Sequence, residues 1–179
     1  MGTAAGAFLL GQFLAPRRAN VLITRANLLS WAEIAEDNVV FLGPATGIHQ
    51  TEDLAANAKL VLEAGGVRNL APRAGEAPFL ADSPAVNREE SGVSHALISR
   101  IPAMNGHGAI LMLSGNHTGS VMGGVQAFTN AALARTLVGK IRGADGKIPD
   151  YFQVVLKVKS MDDVPVDIGY VMHRDLGVR

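Results

Sequence analysis

Residues 109–142 constrain the fold more than any other stretch, because they combine an apolar strand, a glycine-rich turn and a long helix. Residues 109–113 form an unbroken apolar run, typical of a strand that is covered on both faces. Apolar residues then recur every three or four positions over residues 121–137, which predicts a helix with one face on a sheet. Gly123 and Gly124 each cost roughly 1 kcal/mol relative to alanine in a helix, so we expect them to permit close approach to that sheet.

The turn at residues 114–120 predicts an anion-binding site. A strand-to-helix turn directs free backbone N–H groups and the positive end of the helix dipole to one place. We expect Thr118 or Ser120 to cap the helix. The spacing of Gly115 and Gly119 is neither a P-loop, which needs a following Lys-Ser/Thr pair, nor the GxGxxG fingerprint. An ordinary tight turn is the alternative interpretation.

A second glycine-punctuated loop follows another apolar strand at residues 39–42. If the two strands are parallel, their carboxyl ends meet at one edge of the sheet, where open α/β folds bind ligands. The sequence therefore predicts one ligand site shared by both loops. Its predicted residues are Gly43, Thr46, Gly47, His49, Ser114, Gly115, Asn116, His117, Thr118, Gly119 and Ser120.

The first third of the chain predicts two helices and a strand. Residues 2–15 are apolar and uncharged, but a bilayer span needs about 20 residues, so we interpret them as a buried helix with Phe8, Leu9 and Phe13 against the core. Residues 20–24 read as a strand. Ser30 and Glu33 form a capping box at the start of a short helix.

The later segments predict antiparallel pairs. Residues 59–82 contain short strand-like runs, which predict additional antiparallel strands at an edge of the sheet. Residues 95–101 should pair antiparallel with the 109–113 strand through a turn. Residues 151–159 and 166–173 should form a hairpin that turns at a pair of aspartates. A helix is also expected over residues 51–58.

The predicted fold is therefore a single α/β domain over residues 1–179. We expect a three-layer, Rossmann-like mixed sheet with a parallel core, antiparallel edge strands and helices on both faces. Because the chain starts at a helix that a strand should precede, we expect it to be the C-terminal part of a longer protein.

The composition narrows the class of protein. The formal net charge is zero and no basic stripe stands out, so direct nucleic-acid binding by this segment is not expected. There are no cysteines, which excludes thiolate chemistry and disulfides and fits a reducing, cytoplasmic compartment. We expect no membrane span.

Candidate catalytic groups are few. Ser114 and His117 could act as nucleophile and base, but no G-x-S-x-G elbow accompanies them. The five histidines include no HxxxH or HxH pair, so we assign no metal site, and we assign no catalytic residue. Glu76 and Asp82 lie in segments that read as turns, where solvated carboxylates are expected. The cofactor is unknown from these residues.

The chain resembles an uncharacterised bacterial α/β domain that is found C-terminal to helix-turn-helix or winged-helix DNA-binding domains in some soil bacteria. The resemblance covers most of residues 20–160 and includes an NVVFLG-P strand, an N-x-x-P-x-x-GE turn and a G-x-x-x-G turn before an alanine-rich helix. The matching residues of the two turns are Asn69, Pro72, Gly75, Glu76, Gly115 and Gly119. It implies a sensory or regulatory domain beside a DNA reader, although this chain lacks the DNA-binding part.

Three functions therefore stay open. The leading prediction is a non-enzymatic ligand-sensing or regulatory domain that binds a small anionic molecule at the two glycine-rich loops. The first alternative is a hydrolase or nucleotide-processing enzyme that uses the same crevice. The second is a structural, self-assembling module, since exposed strand edges could pair between copies in a homo-oligomer.

Overall fold

The computed structural model describes residues 2–17, 20–44, 57–87, 90–103 and 108–177. The helices are α1 (Gly2–Leu14), α2 (Trp31–Glu36), α3 (Thr118–Thr129) and α4 (Ala131–Ile141). The strands are β1 (Val39–Gly43), β2 (Leu60–Glu63), β3 (Gly66–Asn69), β4 (Phe79–Ala81), β5 (Ser91–Pro102), β6 (Ala109–Gly115), β7 (Phe152–Met161) and β8 (Val164–Asp175).

The larger sheet has the strand order β1-β6-β5-β7-β8. Among the described strands, β1 and β6 form the one parallel pair, and it lies at an edge of this sheet. The pairs β5–β6, β5–β7 and β7–β8 are all antiparallel. The α/β class and the mixed sheet are confirmed, but a parallel core with antiparallel edges is wrong, because the centre of the sheet is antiparallel. The Rossmann-like three-layer arrangement is not confirmed.

Several local predictions are confirmed. Strands β5 and β6 are antiparallel neighbours, and β7 and β8 form the expected hairpin. The hairpin turns at Asp162 and Asp163, whose φ angles of 47° and 65° lie in the left-handed region. Ser30 and Glu33 form the capping box at the start of α2. Local patterns thus placed these elements where the chain forms them.

Helices α1, α3 and α4 cover one face of the larger sheet. Leu10 of α1, Val125 of α3 and Leu137 of α4 share one apolar cluster with Leu113 of β6 and Val158 of β7. Burial of such side chains contributes about 25 cal/mol per Å² of apolar area, and this cluster is the main core of the molecule.

The predicted close approach of a glycine pair to the sheet is confirmed. A Cβ atom built on Gly123 would lie 2.5 Å from Cγ2 of Val158, so only glycine fits there without movement. A Cβ on Gly124 would meet Ala96 and Leu113 at 3.8 Å, an ordinary contact distance. Gly123 therefore brings α3 close to β7, at a cost in helix propensity that the packing offsets.

The opposite face is covered by a separate three-stranded antiparallel sheet with the order β2-β3-β4. The short antiparallel strands were predicted, but they form a second layer rather than the edge of the main sheet. Helix α2 packs Ile34 on the same face, against Phe41 and Ile110. The cluster between the sheets contains Leu60, Leu62, Val67, Leu97, Val155 and Met172.

A buried ion pair fastens this second layer to β8. The Arg174 side chain is 3% exposed and pairs with Glu76, whose side chain is 20% exposed. Arg174 also donates to Oδ1 of Asn69 at 3.2 Å. The prediction that Glu76 is a solvated turn carboxylate is therefore wrong, because it neutralises a buried arginine from a distant strand.

Two predictions near the start of the chain are also wrong. Residues 20–24 form no strand, and Leu22 within them is 81% exposed. In α1, Leu9 packs against the main core as predicted, but Phe8 is 61% exposed and Leu10 is buried in its place. No helix within the described ranges is long and apolar enough to cross a bilayer.

The predicted long helix after residue 118 is two helices. Asn130 ends α3 and caps α4, because its Oδ1 accepts from the backbone N–H groups of Ala132 and Leu133. An asparagine side chain that bonds the next turn favours a new helix start over continuation. The helix expected over residues 51–58 falls almost wholly on 45–56, outside the described residues.

Candidate functional site

The turn between β6 and α3 is fixed by Ser120 and His117. His117 is the N-cap of α3, and its backbone N–H donates to Oγ of Ser120 at 3.2 Å. The Ser120 hydroxyl donates in turn to the carbonyl of His117 at 2.7 Å, and Ser120 is fully buried. The prediction that Thr118 or Ser120 is the N-cap is wrong, since Ser120 acts from the third position of the helix instead.

Both glycines of this turn stand where a side chain has no room. Oγ of Ser120 occupies the space that a Cβ on Gly115 would need. A Cβ on Gly119 would lie 2.7 Å from Oγ of Ser160, at the end of β7, and 3.4 Å from the carbonyl oxygen of Asp163. The N-terminus of α3 therefore lies directly beside the tip of the β7–β8 hairpin.

Asp82 forms the polar centre beneath this turn. Its side chain is 1% exposed. Oδ1 accepts from the backbone N–H of His95 at 2.9 Å and lies 3.0 Å from Nδ1 of the same histidine. Oδ2 accepts from Nδ2 of Asn116 at 3.1 Å and lies 3.7 Å from Nε2 of His117. The expectation of a solvated Asp82 is wrong, because His95 of β5 and the turn at Asn116 and His117 enclose its carboxylate.

The charge of Asp82 is held by these contacts. Burial by itself would raise the pKa of this carboxyl, but hydrogen bonds from the His95 side chain, Asn116 and the His95 backbone outweigh it and lower the pKa. The carboxylate therefore stays ionised at neutral pH. The Asp82 carboxylate lies near the start of α3. Its negative charge therefore offsets part of the positive end of that helix dipole.

A groove of about 420 Å³ opens beside His117. The segment after β4, the first residues of β5, the start of α3 and the β7–β8 hairpin form its walls. The His117 side chain is 36% exposed, so one side faces the groove while Nε2 faces Asp82. Polar lining residues include Asn87, Ser94, His117, Ser160, Asp162 and Asp163.

Ser94 is the unusual member of this lining. It is 3% exposed, and its Oγ is buried without a hydrogen-bond partner in the described part of the chain. Most buried hydroxyls in folded proteins have a partner, because an unpaired one costs about 1–3 kcal/mol. Ser94 is therefore a residue of the groove lining whose buried hydroxyl still lacks a hydrogen bond.

The two predicted loops begin side by side, as the parallel pairing required. Gly43 at the end of β1 is the register partner of Ser114 near the end of β6. Beyond Gly43, the predicted ligand residues Thr46, Gly47 and His49 lie outside the described residues. The predicted residues of the second loop from Asn116 to Ser120 are all at the Asp82 cluster or the start of α3.

The catalytic pair of the hydrolase hypothesis is not formed. Ser114 is 5% exposed, and no hydrogen bond among the described residues joins it to His117. His117 instead faces the carboxylate of Asp82, at 3.7 Å. In the described ranges, no group of three His, Cys, Asp or Glu side chains is arranged to hold a metal ion.

Sequence reasoning missed Asp82 as a partner of His117, and it missed Ser94 and Asp163 as groove residues. Asp82 accepts hydrogen bonds from His95 and Asn116, which lie 13 and 34 positions away in the sequence. No local sequence pattern predicts contacts over such separations. Ser94 stands in an ordinary apolar strand. Of these residues, only Asp163 could have been found from the sequence, because the Asp162-Asp163 pair was predicted to form the turn of a hairpin.

The comparisons with known proteins give no family for this chain. No protein-family model, curated protein or solved structure matches it. The resemblance to a domain beside DNA-binding modules therefore stays a prediction.

Proposed function

We propose that this chain is a ligand-binding regulatory domain without enzymatic activity, and that the groove beside His117 is its binding site. The ligand is a small molecule with an anionic group, which lies at the start of α3. Binding there stabilises the turn between β6 and α3 against the β7–β8 hairpin, and this difference in stability is the regulatory signal.

The observation that carries this proposal is the unpaired Ser94 hydroxyl in a groove at the N-terminus of α3. No described residue accepts a hydrogen bond from the backbone N–H groups of Thr118 or Gly119, which begin this helix of 12 residues. The free N–H groups and the buried hydroxyl are hydrogen-bond donors for an anionic oxygen, while the nearby Asp82 carboxylate already offsets part of the helix dipole.

Binding is better supported than hydrolysis. A nucleophile must lie within hydrogen-bond reach of its base, and Ser114 is not bonded to His117. The regulatory role draws on the resemblance to domains that stand beside DNA-binding modules. That resemblance also supports a cytoplasmic location and a bacterial origin.

Thermal unfolding with a panel of nucleotides, sugar phosphates and amino acids tests the proposal. A ligand present at 100 times its Kd stabilises the folded state by about 2.7 kcal/mol, which is a shift of several degrees. We expect at least one class of compound to raise the midpoint in this way.

The variant Gly119→Ala should lose this shift, because its Cβ would press on Ser160 beside the start of α3. Gly139→Ala is the matched control, since a Cβ there meets nothing within 4 Å, and it should keep the full shift. If no compound stabilises the protein, or if both variants respond alike, the groove is not the site.

A further inference from the structure

The larger sheet has one edge that is poorly protected against pairing with another chain. Among the described strands, β1 has a single neighbour, β6, so its other side is open. The five residues of β1 include no proline and no charged side chain. At the opposite edge, β8 contains Pro165 and has two register irregularities. Proline, charges and irregular backbone are the usual protection of an edge strand, so β1 keeps its capacity to pair.

Residues 20–24 form an unpaired segment near this edge. All five are exposed, and no hydrogen bond joins their backbone to another described residue. Cδ1 of Ile23 lies 3.8 Å from the Cβ position on Gly11 of α1, on the helix-covered face of the sheet. Ala26 instead packs against the cluster that contains Phe41, on the other face. The segment therefore passes from one face of the main sheet to the other at the β1 end of the molecule.

This end of the molecule also carries much exposed apolar surface. Helix α1 contacts β1, because a Cβ on Gly6 would lie 3.9 Å from Cδ1 of Leu42. Twelve large apolar side chains are exposed in the described residues, and half of them lie around this contact. These six are Phe8 of α1, Val21, Leu22, Ile23, Leu28 and Val40 of β1.

The exposed area is sufficient for a dimer. With on the order of 100 Å² of exposed surface on each of the six side chains, two copies would bury roughly 1,200 Å² between them, whereas a specific interface needs about 1,000 Å². The surface is therefore large enough to hold two copies of the chain together.

The charges around this surface suit a second copy of the same chain. No charged residue occurs in residues 20–24 or in β1, so two identical surfaces meet without like-charge repulsion at their centre. The exposed charges that flank these segments in the described residues are of both signs, namely Arg17, Arg25, Glu33, Glu36 and Asp37. A twofold arrangement can therefore bring the basic side of one copy to the acidic side of the other. A wholly acidic or wholly basic partner would gain no net attraction.

We propose that this chain forms a symmetric dimer through the surface made by α1, residues 20–28 and the open edge of β1. Two copies meet about a twofold axis, so the same surface is used in both. Residues 20–24 and the outer side of β1 gain backbone hydrogen bonds across the interface, and the six apolar side chains are removed from water. The groove beside His117 is lined by other elements, so this inference is independent of the proposed ligand site.

Sedimentation velocity on the full chain, over a wide range of protein concentration, tests the proposal. We expect the wild type to be a dimer at high concentration. The variant Leu22→Glu should weaken self-association by at least about tenfold, because it places an uncompensated charge in the interface. Leu22 is 81% exposed, so the substitution should leave the folded monomer intact, and circular dichroism checks this.

The matched control is Leu70→Glu. Leu70 is 56% exposed and lies directly after β3, outside the proposed interface, so this variant should keep the wild-type dissociation constant. A protein that stays monomeric at every concentration would overturn the inference. So would a dimer that both variants weaken equally, or that neither variant weakens.

Hydrogen exchange at low and high protein concentration tests the position of the interface. Amides of residues 20–24 and of β1 should exchange more slowly at high concentration, whereas those of the β7–β8 turn should not change. The difference should disappear in Leu22→Glu. Concentration-dependent protection confined to other segments would show that the copies meet elsewhere and would refute the proposal.

Discussion

The pKa of Glu76 depends on Arg174, a residue that is distant in the sequence. Arg174 lies 98 residues further along the chain, and its side chain is almost wholly buried. The hydrogen bonds from Arg174, followed by the backbone N–H of Arg73, lower the pKa of Glu76 to about 2. The ionised carboxylate thus stabilises the folded state at neutral pH, and protonation removes that contribution.

The variant Glu76→Gln should therefore change how stability depends on pH. A lowered pKa gives stability that is fully present above the unfolded value of 4.5 and is lost as pH falls toward about 2. At pH 7 the variant should lose about 3 kcal/mol, because Arg174 stays buried without its counter-charge. Urea unfolding at pH 7, 4 and 2.5 should show the difference from wild type shrinking as pH falls.

The pKa of Asp82 is also lowered, so Asp82 also makes stability depend on pH in the acidic range. This contribution is the same in the wild type and in Glu76→Gln. Glu36→Gln, at an exposed position of α2, is the matched control and should follow the wild-type curve. A difference between Glu76→Gln and wild type that is constant with pH would contradict the electrostatic account.

Single residues were predictable where their partners are local. Ser30 and Glu33 are three positions apart, so the capping box is visible in the sequence. Asp82 and Glu76 follow short strands in polar segments, which is also the pattern of solvated turns. Only the three-dimensional placement of His95 and Arg174 distinguishes a buried carboxylate from an exposed one.

At the scale of elements, glycines in the two long helices make a matched experiment. Gly123 in α3 faces Val158, which is fully buried, whereas Gly139 in α4 is exposed and faces open space. Alanine gains about 1 kcal/mol over glycine from helix propensity at either position. At Gly123, but not at Gly139, the unfavourable packing of the new methyl group should outweigh this gain and make the substitution destabilising.

We expect Gly139→Ala to stabilise the protein by about 0.5–1 kcal/mol. Gly123→Ala should destabilise it by about 1–3 kcal/mol, because the new methyl group forces α3 away from a stiff valine in β7. Chemical denaturation of both variants at the same pH measures this. Equal effects of the same sign would mean that α3 is not in close contact with the sheet.

Strands and helices were predicted with more success than their arrangement. The apolar run at residues 109–113 correctly indicates a strand covered on both faces, but it does not report the direction of its neighbours. Here β6 has one parallel and one antiparallel neighbour. A second sheet supplies part of the cover that crossover helices would give in a parallel fold. Residues 20–24 have strand-like composition, yet the described residues offer them no pairing partner.

At the scale of the whole molecule, Gln153 connects the two sheets. It lies in β7 and is 3% exposed. Its Oε1 accepts from the backbone N–H groups of Lys59 and Leu60 at 2.8 and 2.9 Å. Its Nε2 donates to the carbonyl of Leu60 at 2.8 Å and to Oγ of Ser99 at 3.1 Å. One amide therefore satisfies both the edge of β2 and a buried serine of β5.

The variant Gln153→Glu tests whether this contact makes the two sheets one cooperative unit. A carboxylate keeps the acceptor for Lys59 and Leu60, but it cannot donate to the Leu60 carbonyl, and it places a charge between the sheets. The loss should be about 3 kcal/mol. Burial would raise the pKa of the new carboxyl in the folded state, so the loss should grow as pH rises above 4.5.

Urea unfolding followed by circular dichroism at pH 5 and pH 8 measures both effects. Gln12→Glu is the matched control, because Gln12 is exposed in α1 and the same change there should cost less than 0.5 kcal/mol. Without the amide, the second sheet keeps its apolar cluster and the Arg174 ion pair but loses its bond to the centre of the main sheet. We therefore expect a lower unfolding slope, or a separate early transition, at pH 8. A loss that is independent of pH, with an unchanged slope, would show that apolar packing alone couples the two sheets.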